Sequence, residues 1–253
     1  MFSISNIQAG LNTEFLGQQI KFIDQTPSTN DDAWKCFHEN ELEGTLIITN
    51  NQVNGRGRRK SKWSSTPDKS LTFSFLLIPN IPLENLGLLP LLTGVSIIKG
   101  IWNMTKINVG LKWPNDIMIN HKKIGGILIE SNTKKNKLGV VIGIGINVNE
   151  NEKDIPLEIQ KKTSSLSIDS GKKFNLSLIL SSILNEFEHL YVHGWDHITT
   201  LWQQYCVHQN ENVTFHDNEE FIHGKFMGIT KSGYARMQVN GKIKTFSSGI
   251  ITL

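Results

Sequence analysis

Four β-prone stretches stand so close together between residues 109 and 148 that the chain has no room for a crossover helix among them. Residues 109–113, 116–119 and 124–130 are separated only by Pro114-Asn115 and Asn120-His121-Lys122, and residues 138–148 follow, interrupted by Gly143 and Gly145. Connections this short join antiparallel neighbours, because a parallel pair needs a crossover of roughly a dozen residues or more. The spacing of the first three therefore predicts an antiparallel meander, with residues 138–148 a further β-prone stretch.

Residues 20–23 alternate like a short strand and lead into Thr26-Pro27-Ser28-Thr29-Asn30, where Pro27 and the capping-type residues after it mark a turn into a helix. Asp31 and Asp32 then fall in the first turn, where the helix dipole favours negative charge. Residues 45–49 and 70–78 read as strands, and residues 86–104 are apolar almost all round the helical wheel, as in a buried helix. Residues 150–173 are polar and turn-rich, with a short apolar patch around Leu166, and read as a surface excursion holding one small helix, and residues 174–204 have helical periodicity broken near Gly194. From about residue 212 the pattern changes to short alternating segments at 213–215, 221–227, 235–239, 243–246 and 250–253, punctuated by glycines. The expected architecture is α+β, with a large domain over residues 1–207 and a small β domain over 208–253.

A chain of 253 residues can bury a sizeable core, and its charge of +3, from 26 basic against 23 acidic side chains, lacks the excess of a chain built to neutralise nucleic-acid phosphates. The longest uncharged run, residues 85–98, contains Pro90 and Gly94 and falls short of the roughly 20 apolar residues that span a bilayer. With no secretory pattern at the start, and with Cys36 and Cys206 in no metal-like spacing, a cytoplasmic protein with two buried thiols and no membrane partner is expected.

The chemistry concentrates elsewhere. Residues 50–67 lack periodicity and predict a long polar loop, in which Arg56, Arg58, Arg59, Lys60 and Lys62 place five cations in seven residues. In Gly55-Arg56-Gly57-Arg58-Arg59 the glycines let backbone N–H groups approach an anion, and the guanidinium forks match carboxylate or phosphate oxygens. On composition alone a ligand site and a solvated or nucleic-acid-binding segment explain it equally well. A Walker A loop is excluded, because no Gly-Lys pair continues with Ser or Thr.

In Lys112-Trp113-Pro114-Asn115-Asp116 the proline ends a strand at a corner that presents an amide and a carboxylate beside an ammonium, a set able to serve Mg²⁺ and phosphate oxygens; a plain turn explains the same residues. Lys123-Ile124-Gly125-Gly126 and Gly143-Ile144-Gly145-Ile146-Asn147 place glycines inside strands, where either a ligand or a packed neighbour approaches closely. His189, His193 and His197 read as a surface helix face, and Trp34, Trp102, Trp195 and Trp202 as core.

Taken together and in order, Ser28-Thr29-Asn30, the arginine loop with Trp63, the Lys112 to Asp116 corner and the two glycine strands resemble the biotin-protein ligase family. The motifs span about residues 20–150, and the tail resembles that family's C-terminal SH3-like domain. The resemblance implies a mixed, largely antiparallel sheet with helices on one side, of the class II synthetase type, plus a small SH3-like β-barrel. It implies activation of biotin by ATP and Mg²⁺ to biotinyl-5'-AMP, and transfer to a lysine of a biotin carboxyl carrier protein.

Residue roles follow from the same resemblance. Ser28, Thr29 and Gln52 would bind the ureido head, braced by Asn30; Arg56, Gly57 and Arg58 would close over the biotin tail beside Gly126. Arg58, Lys123 and Lys112 would be the catalytic cations, Trp63 would pack on adenine, and Asn147 would contact the nucleoside. Arg59, Lys112, Asn115 and Asp116 would serve ATP, with Asp116 the candidate Mg²⁺ ligand. A lipoate or octanoate ligase of the same fold and a non-catalytic nucleic-acid binder are the alternatives, and Gln52 with the arginine loop favours biotin. Only 27 residues precede Ser28, so a monofunctional ligase without a DNA-binding domain, and hence without a nucleic-acid partner, is expected; a homodimer is left open.

Overall fold

The computed structural model describes residues 2–216 and 220–253, apart from the side chains of Lys60 and Leu83. The strands of its first part are β1 (Ile20–Thr26), β2 (Leu46–Gln52), β3 (Gly55–Arg56), β4 (Lys62–Trp63), β5 (Ser70–Leu77), β6 (Gly110–Lys112), β7 (Asp116–Ile119), β8 (Lys122–Lys134) and β9 (Lys137–Asn147). Those of the tail are β10 (Asn212–His216), β11 (Phe221–Ile229), β12 (Ala235–Val239), β13 (Lys242–Phe246) and β14 (Ile250–Thr252). The helices are α1 (Ile4–Gly10), α2 (Thr29–His38), α3 (Leu83–Leu86), α4 (Leu89–Thr105), α5 (Leu166–Ser170), α6 (Leu176–His193) and α7 (Ile198–Gln204).

Seven strands form one sheet in the order β1-β2-β5-β9-β8-β7-β6. The meander read from the spacing is its β6-β7-β8 part, which β9 continues, and every pairing in the sheet is antiparallel except β1 with β2. The outer edge of β6 is covered by the chain at residues 205–207, through Leu111 N to Tyr205 O at 2.8 Å and Val207 N to Leu111 O at 3.0 Å, so it offers no open template for pairing.

Successive residues of a strand face opposite sides, and the two faces of this sheet carry different chemistry. Leu46, Ile48, Phe73, Phe75 and Ile142 enter the main apolar cluster with α4 and α6, and α1 packs on α6. Ile47, Leu76 and Val141 point the other way and meet Ala33, Cys36 and Phe37 of α2. The expectation of helices on one side thus describes α1, α4 and α6, whereas α2 lies opposite, because its apolar stripe matches the second face. Beyond the start of α2 that second face turns small and polar, through the register pairs Ser74 with Gly143 and Thr72 with Gly145.

The N-terminal α1 was not indicated by the sequence pattern: of its seven residues only Ile7 is buried. The chain after it is tied to α6 by the buried Glu188, whose carboxylate accepts the amides of Glu14, Phe15 and Leu16. Trp202 is buried as expected, but Trp102 is 42% exposed under the Lys106 ammonium, because the outer side of α4 faces solvent there. Among the described residues no helix is long and apolar enough to cross a membrane.

The tail strands form a five-stranded antiparallel sheet in the order β13-β12-β11-β10-β14. Its apolar side is continuous with the main cluster: Phe215, Phe226 and Met237 join the group that holds Trp113, whose indole Nε1 donates to the Gly233 carbonyl at 3.0 Å. His208, at the expected domain boundary, is fully buried between Trp202 and Phe226, with ring-centroid distances of 6.3 and 4.2 Å.

Burial, and secondarily the nearby Lys112, depress His208 to about 3, so its ring is neutral in the folded chain. An unfolded histidine titrates near 6.5, so below that pH the unfolded state binds the extra proton and stability falls until about pH 3. Urea titrations at pH values stepped downward from neutral should give a midpoint that drops with pH, and His208→Gln should start lower at neutral pH and lose less on acidification.

Candidate active site

Two adjoining chambers of about 310 and 480 Å³ open on the small, polar part of the second sheet face, a size range that suits small organic ligands. Ser28, Thr29, Asn30, Gln52, Arg56, Gly57, Arg58, Arg59, Trp63, Lys112, Asn115, Asp116, Lys123 and Gly126 all line the first chamber, although they come from α2, β2, the arginine loop and the meander. Asn147 lines the second, which shares Lys62, Trp63, Lys112, Asp116 and Lys123 with the first.

One end of the first chamber is a closed chain of polar groups at the start of α2. Ser28 is extended there (φ −160°) and its side chain makes no capping hydrogen bond. The cap comes from β2 instead, where Gln52 Oε1 accepts the Thr29 amide at 2.8 Å and its hydroxyl at 3.2 Å. The Thr29 and Ser74 hydroxyls lie 2.6 Å apart, Ser74 donates to Asn30 Oδ1 at 2.7 Å, and Asn30 Nδ2 donates to Glu130 Oε2 at 2.8 Å. Each member is oriented by the next, so the cluster is set before any ligand arrives. A methyl at Gly143 would collide with Asn30 Oδ1, which explains one of the strand glycines. The Thr72 hydroxyl is buried in this wall without a partner among the described residues, and with Ser28 it is available to a ligand.

The long polar loop is ordered as a ribbon in which β3 pairs with β4 around a 3₁₀ turn at Arg58–Lys60, closed by Gly57 N to Ser61 O at 2.7 Å. Arg56 does not reach freely over the chamber. Its guanidinium forks onto Asp31 at 2.7 and 2.6 Å, pinning the loop to the first turn of α2, and that hydrogen bond is the main reason the Asp31 carboxyl titrates below the usual carboxylate range. Trp63, at the far end of the ribbon, packs its indole where a side chain at Gly145 would be, and its Nε1 has no partner among the described residues.

At the opposite wall the cations converge. Lys123 Nζ lies 2.5 Å from Asp116 Oδ1 and Lys112 Nζ 3.2 Å from Asp116 Oδ2, so both carboxylate oxygens are engaged. Asn115 donates to the Ile127 carbonyl at 2.7 Å, and its Oδ1 is the one hydrogen-bond partner of the Arg58 guanidinium among the described residues, at 3.5 Å. Burial first, and then Arg59, push Arg58 below its ordinary value, with Asp116 acting the other way. Among the described residues six basic ones, Arg56, Arg58, Arg59, Lys62, Lys112 and Lys123, line the first chamber against the single acid Asp116. Such an arrangement is incomplete without an anion. It does not form a metal cage: among the described residues no group of three or more His, Cys, Asp or Glu could hold an ion, and His189 and His193 merely lie side by side on α6.

Sequence reasoning missed several members. Asp31 was assigned to the helix dipole, although it binds Arg56. Thr72 and Ser74 carried a signal, because Ser70, Thr72 and Ser74 form a period-two polar stripe through an otherwise apolar strand. Glu130, behind Asn30, and the chamber wall supplied by Gly249, Ile250 and Ile251 of the tail carried none, since only folding brings them to these neighbours.

Comparisons with known proteins bear on the family and the fold. The model of the Biotin/lipoate A/B protein ligase family matches residues 22–147. The bifunctional ligase/repressor BirA of Bacillus subtilis is 36% identical, over 99% of this chain and 79% of its own length. Among solved structures, a biotin protein ligase from Aquifex aeolicus in complex with biotin and ATP superposes with a TM-score of 0.79 and 31% identity, covering 93% of this chain and 98% of the other. A biotin acetyl coenzyme A carboxylase synthetase from Helicobacter pylori with bound biotinylated ATP gives 0.62 and 25%, covering 90% and 99%.

Asp116→Asn removes the charge that holds Lys112 and Lys123 together beside Arg58. It should destabilise the unliganded chain by about 1–2 kcal/mol, and added pyrophosphate should raise the melting temperature of the variant more than that of the parent. Equal melting temperatures without ligand would show that Asp116 is not what neutralises this corner.

Proposed function

Because the chain belongs to the biotin/lipoate A/B protein ligase family, we propose that it activates biotin with ATP to biotinyl-5'-AMP and passes the biotinyl group to a lysine of a biotin carboxyl carrier protein. The observation that carries this reading is the pairing, within one chamber, of a preorganised neutral hydrogen-bond cluster at one end with an excess of fixed cations at the other.

The chemistry needs both ends. Ser28, Thr29 and Gln52, braced by Asn30, suit the donors and acceptor of a ureido ring, whereas the dithiolane of lipoate and the alkyl end of octanoate bring no group for them to bind. A site built around hydrogen bonds rejects ligands that leave them unmade. At the cationic end the biotin carboxylate attacks the α-phosphorus, a P–O bond to the acyl oxygen forms, the bond to the bridging oxygen breaks, and pyrophosphate leaves with that electron pair.

Two anions have to meet for this, and Arg58, Lys112 and Lys123 offset their repulsion without moving charge at the moment of reaction. Asp116 sets the spacing of the two lysines until the phosphates arrive. In the second step an acceptor ε-amine attacks the acyl carbon, AMP departs, and the amide keeps the biotin. Trp63 and Asn147, which line the second chamber, suit the base of the nucleotide. The residues do not fit a metal ion held by the protein itself, since the one carboxylate among the phosphate-facing groups is already bound by two lysines; Mg²⁺ belongs to the nucleotide it arrives with.

Exchange of labelled pyrophosphate into ATP should require biotin and should not occur with lipoate or octanoate; exchange without biotin would overturn the reading. Arg58→Gly should release the adenylate early, so that bystander proteins in the assay acquire biotin on their lysines. If that variant labels only the carrier protein, at the parental rate, Arg58 does not retain the adenylate.

A further inference from the structure

Glu150 stands three residues past Asn147, just beyond the end of β9, and is 2% exposed. Its surroundings fix it closely. The Ser70 hydroxyl, itself held by the Thr66 amide at 2.7 Å, donates to Oε1, and the Ser165 hydroxyl holds the Glu150 backbone carbonyl at 2.7 Å.

What the fold does not supply is a partner for Oε2, which is buried and makes no hydrogen bond among the described residues although Glu150 lines the second chamber. The neighbouring acid Asp154 is different, being paired with Lys69 at 2.6 Å. Burial, and to a lesser degree Asp154, push the Glu150 carboxyl up, while the Ser70 hydroxyl and the amides of Glu150 and Val148 pull it back. Buried acceptors left open are rare in folded chains and mark places where something else completes them.

The same chamber contains a second open acceptor. Asn147 spends its Nδ2 on the Ser164 carbonyl at 3.0 Å, which leaves Oδ1 to face a ligand. Trp63 presents the ring on which a planar group can stack.

We propose that Glu150 is a specificity-determining residue of the adenylation reaction: together with Asn147 it presents two acceptors to the 6-position of a stacked purine, accepting the 6-amino group of ATP and opposing the 6-oxo group of other purine nucleotides. The inference rests on the reading of these chambers as an adenylation site. A 6-oxo purine turns a lone pair toward two acceptors and leaves both unmet, so discrimination arises from repulsion as well as from a lost bond.

Biotin-dependent pyrophosphate exchange tests it with ATP, inosine triphosphate and purine riboside triphosphate, which has no 6-substituent. The parent chain should favour ATP over each analogue by about 100-fold or more in kcat/KM. Glu150→Gln, nearly isosteric and able to donate to a 6-oxo group, should lower the ATP to inosine triphosphate ratio by about tenfold, raise KM for ATP and leave KM for biotin unchanged. An unchanged ratio in a variant with a parental melting temperature overturns the inference, as does a parent that uses purine riboside triphosphate as well as ATP. Both outcomes leave the adenylation reading standing, because they require biotin-dependent exchange. A parent that exchanges with none of the three nucleotides overturns that reading and this inference with it.

Discussion

The site depends on a change of character along one face of a single sheet. Under α2 that face is apolar, and Ile47, Leu76 and Val141 pack the helix down. Two and four residues further along the same strands the pairs become Ser74 with Gly143 and Thr72 with Gly145. The backbone continues undisturbed, held by its ladder of hydrogen bonds, while the side chains shrink, so a cavity forms without any cost in pairing. The start of α2 then overhangs the cavity, and its first amide is capped from β2 by Gln52 rather than by its own Ser28. A helix packed by its apolar stripe thereby becomes the support for a polar cluster.

The second constraint is electrostatic. Lys112, Lys123 and Arg58 come from a strand end, a hairpin and a loop, and each would be repelled by the others in a partly buried space. Asp116 sits between the two lysines, and Asn115 offers Arg58 a long, weak contact. Arg56 is removed from this crowd by Asp31, which converts one cation of the loop from a ligand group into an anchor. Charges that look equivalent in the chain are divided by the fold into one that holds the loop and others that await an anion.

The tail contributes through continuity of packing. Trp113, inside the Lys112 to Asp116 corner, is buried against Phe215 and bonded to Gly233, so the corner that presents Asn115 and Asp116 rests on the five-stranded sheet. Ile250 and Ile251 close both chambers from that side. His208 is fully buried at the junction, wedged between Trp202 and Phe226. The sequence pattern read this region as a separate small β domain, which describes its strands but not the apolar cluster it shares with the larger body.

Local sequence was sufficient wherever the physics is local. The short connections of residues 109–148 dictated antiparallel neighbours, the helical periodicity of residues 174–204 produced α6 and α7 on either side of Gly194, and the motif residues were visible because glycine, arginine and the Pro114 corner each have chemistry of their own. Pattern alone could not assign Gly143 and Gly145, whose space is filled by Asn30 and Trp63 from elsewhere in the chain. Nor could it join Arg56 to Asp31, or Glu130 to Asn30 across 100 residues. Those pairings exist only when the sheet order sets β1, β2 and β5 beside β9 and β8. Residue type determined which groups could bind an anion or a neutral polar ring, and the tertiary structure decided which of them face the same cavity, because that depends on strand register and not on distance along the chain.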